Sequence, residues 1–139
     1  MEFLNSNFEN ARITYRRVKD HEIDELGHVN NAVYVGWIQD AATEHWLAVA
    51  SAELQLEFMW FCSRHEIDYK RQLYVDSDVE IRTWLGEFKG ARFDRHVDIR
   101  LKGSNKSAVI ARTTWVLMSK VSKKPLRINA KILTVFSSL

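Results

Sequence analysis

The chain has 139 residues, 46% of them hydrophobic and 12% aromatic, and carries a formal net charge of +2. That is enough apolar material for a single compact domain spanning residues 1–139, and the near balance of basic and acidic residues excludes a dedicated nucleic-acid binder, whose cations would form a dense stripe. One cysteine, Cys62, excludes an intramolecular disulfide framework and suits a reducing compartment. The opening segment, MEFLNSNFENAR, lacks the basic start and apolar run of a secretory signal. No stretch approaches the roughly 20 apolar residues that span a bilayer, so a cytoplasmic protein without membrane contact is expected.

Residues 11–18 alternate Ala11, Ile13 and Tyr15 against Arg12, Thr14 and Arg16, the period of a half-buried strand. A polar loop follows. From Asn31 to about Ala50 the apolar residues then recur at helical spacing: Tyr34, Ile38, Ala41, Ala42, His45 or Trp46, and Val49. Asn30 or Asn31 is placed to cap that helix. Strands are expected around 61–69, 78–85, 91–101 and 108–118, with Gly86 and Gly90 bracketing one turn and GSNKS forming another. In the third of these, Phe93, Val97, Ile99 and Leu101 share a side with Arg95. The tail reads as a short edge strand or a final helical turn. One long helix burying its apolar stripe on a curved antiparallel sheet is an α+β arrangement.

The stretch with chemistry in it is Asp24-Glu25-Leu26-Gly27-His28-Val29-Asn30-Asn31-Ala32-Val33-Tyr34. A helix N-terminus presents free N–H groups and partial positive charge, which bind an anion or a developing oxyanion. Gly27 permits a tight bend or a close approach of ligand to backbone. A carboxylate beside oxyanion donors is a minimal kit for acyl transfer to water. Taken alone, Asp24 would read as a turn residue.

The same stretch resembles the signature Asp-x-x-Gly-His-Val-Asn-Asn-x-x-Tyr of hotdog-fold acyl thioesterases of the hydroxybenzoyl-CoA thioesterase type. The continuation Tyr34-Val35-Gly36-Trp37-Ile38 is similar to the helix of plant acyl-ACP thioesterases. Further matches are Ile67-Asp68-Tyr69, Asp78-Val79-Glu80-Ile81 and Thr114-Trp115-Val116-Leu117, in order along nearly the whole chain. The resemblance implies a hotdog fold in a homodimer or homotetramer, with sheets paired and the site at the interface. It implies an acyl-CoA or acyl carrier protein thioester as substrate and no cofactor.

Carried over residue by residue, the resemblance makes Asp24 the attacking or water-activating carboxylate. It assigns carbonyl polarisation to the backbone N–H near Asn31, and orientation to His28 and Asn30. Substrate-binding candidates are Gly27, Tyr34, Trp37 and Tyr69, with Arg64 and Arg92 as a basic rim for nucleotide phosphates. Glu22 departs from the pattern, since many members carry Asp there. Gln72 and Ser77 stand where Pro and Gly are common. No metal is expected, because His21, His45, His65 and His96 lack ligand spacing. His45 and His65 read as core or interface residues and Cys62 as an inert packed thiol. Two alternatives remain open at this point: a hotdog hydratase or dehydratase that leaves the thioester intact, and a non-catalytic acyl-thioester binding module.

Overall fold

Period-two hydrophobicity lays down strands where one face packs on a helix and the other meets solvent. In the computed structural model, which describes residues 2–3 and 5–137, six strands form one antiparallel sheet. They are β1 (Glu2–Phe3), β2 (Arg12–Arg17), β3 (Phe58–Tyr69), β4 (Asp78–Lys89), β5 (Arg92–Leu101) and β6 (Val109–Ser119). Three α-helices accompany them: α1 (Asn31–Val49), α2 (Ala52–Glu57) and α3 (Ala130–Ser137). The sheet order is β1-β4-β5-β6-β3, with β2 also paired to β4. Because β5 occupies the other side of β4, β1 and β2 lie end to end along its free edge. β3 does not pair with its successor β4. It pairs with β6, Phe58 opposite Ser119 and Tyr69 opposite Val109, and so forms the other edge of the sheet.

Asn30 starts α1 by accepting the Ala32 N–H at 2.9 Å, which satisfies one of the helix's orphan donors. The helix buries Tyr34, Trp37, Ile38, Ala41, Ala42, His45 and Trp46. Ile38 is fully buried, which stabilises the fold by about 1.5–3 kcal/mol. Near its N-terminal end α1 packs on Val79, Ile81, Val97 and Ile99. Near its C-terminal end, Trp46 and Ala50 join Phe58, Phe93 and Leu117 with Ile132 and Phe136 of α3.

Several expectations change in detail. α2 was not expected: Ser51 caps it through its hydroxyl, accepting the Leu54 N–H at 3.2 Å, but none of its residues is fully buried and Leu54 packs only half-buried on the core, so no apolar stripe betrays it. β3 begins at Phe58 and carries an irregularity between Cys62 and Arg64. Gly86 does not bracket a turn. It lies inside β4, where a Cβ would sit 2.7 Å from His96 Nε2, so the glycine makes room for an imidazole stacked on Trp84. The turn itself falls at Gly90, whose φ of 61° suits glycine. The tail forms α3, a helix of two turns.

Candidate active site

The segment before α1 is built around Glu22, a residue that sequence reading noted only as a departure. Glu22 is largely buried. One carboxylate oxygen accepts the Lys19 N–H at 2.9 Å, and the other accepts the Trp37 indole N–H at 3.0 Å. Its backbone carbonyl accepts the Asn30 N–H at 2.9 Å. A single side chain thus ties the loop to the first turns of α1.

Between Glu22 and Asn30 the chain forms a small closed loop. Ile23 and Val29 bridge each other, and the Asp24 N–H donates to the His28 carbonyl at 2.7 Å. Val29 is anchored in the core and donates its N–H to Leu73 at 2.9 Å. Gly27 sits at φ 79°, and a Cβ there would meet nothing within 4 Å. Backbone conformation, not crowding, therefore calls for glycine.

Asp24 is exposed, and its Oδ1 accepts two backbone N–H groups, from Leu26 at 2.9 Å and from His28 at 3.2 Å. No described residue donates to Oδ2. The carboxylate is fixed by one oxygen and open at the other. His28 is linked to Asp24 through its backbone, while its ring packs edge-on against Tyr74 with centroids 5.3 Å apart. At the helix start the Asn30 side chain takes the Ala32 N–H, and the Asn30 carbonyl takes the Val33 N–H at 2.9 Å. The Asn31 N–H is left without an acceptor among the described residues, and it is the donor free to meet an oxyanion. Tyr69 donates its hydroxyl to the Asn31 carbonyl at 3.3 Å.

Asp24, Gly27, His28, Asn30, Asn31 and Tyr69 thus gather at one end of α1. Tyr34 and Trp37 are there too, but both are only 2% exposed, so they support the site from beneath instead of offering an open binding surface. Burial is the chief reason the Tyr34 hydroxyl pKa is pushed up to about 12, and the Leu73 backbone, outside full hydrogen-bonding geometry, opposes it.

Arg64 and Arg92 do not join this group within the chain. They line a separate groove with Lys89 and Arg112. Arg92 pairs opposite Val116, seven residues along β6 from the Val109 that faces Tyr69, roughly 23 Å away at strand rise. Arg64 is ion-paired with Glu66 at 2.6 Å. His45 is a core residue at 1% exposure, whereas His65 is exposed. Cys62 is half-buried, with Sγ 3.4 Å from His65 Nε2, and burial pushes its thiol pKa up. Among the described residues no cluster of His, Cys, Asp or Glu is placed to hold a metal ion, and no helix is long and apolar enough to cross a membrane.

A family model described as the thioesterase-like superfamily matches residues 18–136, which takes in the whole loop, α1 and the four strands that follow. The chain belongs to the thioesterase-like superfamily. Its fold is the hotdog fold of that superfamily, α+β, and membership carries acyl-thioester hydrolysis as the general activity. Solved structures agree on the architecture of this superfamily member. The 1,4-dihydroxy-2-naphthoyl-CoA thioesterase Slr0204 from Synechocystis is 14% identical with a TM-score of 0.77, over 91% of this chain and 96% of that one. YbaW, a probable thioesterase from Escherichia coli, is 20% identical with a TM-score of 0.78, over 90% and 96%. The PA5185 protein from Pseudomonas aeruginosa is 16% identical with a TM-score of 0.82, over 95% and 94%. No curated protein matches the sequence of this thioesterase-like chain.

Proposed function

We propose that this protein hydrolyses an acyl-CoA or acyl carrier protein thioester, with Asp24 as nucleophile or general base and the Asn31 N–H polarising the thioester carbonyl. One observation carries the reading. A carboxylate held through a single oxygen lies just ahead of a helix whose first N–H is unused. Attack by Asp24, or by water it deprotonates, converts the carbonyl to a tetrahedral oxyanion. The free N–H and the helix dipole stabilise the charge that develops there. Collapse expels the thiolate. If Asp24 is the nucleophile, a mixed anhydride remains, which water cleaves to return the carboxylate. His28 and Asn30 position the loop and the helix start.

The reading includes a homodimer built on the open edge of β3, or a tetramer of such dimers. Antiparallel pairing about the middle of that strand would set each Tyr69 end beside the partner's Phe58 end. Arg64 and Arg92 would then approach the other protomer's loop, where a nucleotide phosphate or an acidic carrier surface could meet them.

Thiol release from a series of acyl-CoA thioesters, acetyl to palmitoyl and benzoyl types, tests the proposal. Asp24→Asn should lower turnover about 10²–10⁴-fold, the usual contribution of a positioned acid or base, with the fold retained. A variant with near-wild-type release would remove Asp24 from the mechanism. A thioester consumed without free thiol would point to hydration instead.

A further inference from the structure

Beneath the C-terminal half of α1 lies a cavity of about 250 Å³, lined mainly by apolar side chains that include Trp46, Met59, Trp60, Trp115 and Phe136. Arg95 also lines it, and is only 4% exposed. Buried arginines are ordinarily paired with a carboxylate, because an isolated buried charge is costly. Arg95 has no such partner among the described residues. Nη1 donates to His45 Nδ1 and to Thr83 Oγ1, both at 3.0 Å, which uses two of the five guanidinium donors. No described residue accepts from Nε or Nη2. The cation has two neutral acceptors and a second cation nearby: burial, and then the Arg12 guanidinium, pull its pKa down to about 9, which still leaves it charged at neutral pH.

Other donors in this region are also unused. Trp60 Nε1, on the cavity wall, is buried without a partner, and so is His45 Nε2. Since Nδ1 of His45 accepts from Arg95, its proton sits on Nε2. The cavity therefore combines apolar walls with surplus donors and an uncompensated positive charge. Its volume falls just below the roughly 300–1,000 Å³ of pockets that take drug-sized ligands, so it suits a short chain or a single ring.

We infer that this cavity binds an organic acid with a small apolar body, whose carboxylate lies against Arg95. The planar guanidinium fork matches a carboxylate in two parallel hydrogen bonds. Such a group has two sources: the far end of an acyl chain that carries a second carboxylate, or a free carboxylic acid. The first source rests on the thioesterase reading above. It draws on geometry, because Phe58, Met59 and Trp60 place the cavity at the end of β3 that the proposed dimer sets beside the other protomer's loop. Within one chain the cavity starts at Ala42, eleven residues and about 16 Å along α1 from Asn31.

The test is direct binding, read by the fluorescence of the cavity tryptophans, with octanoate against octan-1-ol. Wild type should bind the acid at least tenfold more tightly than the alcohol. Arg95→Met should abolish that preference. This variant is expected to fold, since replacing an uncompensated buried charge by an apolar side chain of similar length relieves a desolvation cost. If it fails to fold, Arg95→Lys, which keeps the charge but loses the fork, should weaken octanoate several-fold. Equal binding of acid and alcohol by the wild type, or a preference that survives in Arg95→Met, would overturn the inference. A second arm compares adipoyl-CoA with hexanoyl-CoA. A wild-type kcat/KM preference for the adipoyl ester that disappears in Arg95→Met identifies the acyl terminus as the source. No such preference, with octanoate binding intact, identifies a free acid. No thiol from either ester, with octanoate still bound, removes both CoA esters as substrates and leaves the carboxylate site standing.

Discussion

Lowering the pH from neutral toward 5 places a proton on His45 only if the core opens. Its ring is buried under α1, and its Nδ1 is occupied by the Arg95 guanidinium. Burial, then Arg95 and Arg12, depress its pKa from 6.5 to about 3. In the unfolded chain the same group titrates near 6.5. Between those values the unfolded state holds the extra proton, so stability is full above about pH 6.5 and is lost as pH falls toward 3. At about 1.36 kcal/mol per pKa unit the ceiling is about 5 kcal/mol, of which about 2 kcal/mol is lost between pH 6.5 and 5. Urea denaturation at several pH values, for wild type and for His45→Gln, measures this. Glutamine keeps an acceptor for Arg95 but does not titrate, and carboxylates contribute equally to both proteins. The variant should lose about 2 kcal/mol less than wild type over that interval. Parallel stability curves for the two proteins would refute the assignment of a neutral buried imidazole.

Two further substitutions probe the scaffold of the loop. Glu22→Ala removes the acceptor for the Lys19 N–H and leaves the buried Trp37 indole N–H unsatisfied, at a cost of about 3 kcal/mol, with Glu22→Gln milder because its carbonyl still serves one donor. Thermal unfolding checks this, and a change below about 0.5 kcal/mol for the alanine variant would show that the carboxylate does not hold the loop. Asn30→Ala should cost about 1 kcal/mol through loss of the α1 cap, measured in the same way, and an unchanged midpoint would mean water replaces the side chain without penalty.

The strands and α1 could be read from sequence because each has one face against the other: the alternation of Val79, Ile81, Thr83 and Leu85, and the stripe from Tyr34 to Trp46, record burial directly. α2 could not, since it fully buries no residue, Leu54 packs only half-buried against the core, and only Ser51 marks its start. Gly86 misled for a physical reason. A glycine that makes room for a neighbouring imidazole looks the same in sequence as one that turns the chain. The loop around Asp24 was marked by its motif, but the hydrogen bonds that hold it run through Glu22 and Leu73, and the latter is distant in sequence. Arg95 stood out as a charge on an apolar face. Its lack of a counter-ion, however, is a property of what β4, β6 and α1 bring around it, and no local pattern reveals that. Arg64 and Arg92 were grouped with the site by charge alone, and register within the sheet sets them apart.

The position of β3 also bears on how this protein is made. Ser119, which pairs with Phe58, is synthesised 61 residues later. At about 5–20 residues per second on a ribosome, the strand waits roughly 3–12 s for its partner. During that interval the run Phe58-Met59-Trp60-Phe61-Cys62 is an apolar segment without a sheet to join. The β4–β5 and β5–β6 hairpins need only short turns and close first. β1 and β2 wait at least as long for β4, but β3 opens on a five-residue apolar run, which makes it a segment open to aggregation in the nascent chain.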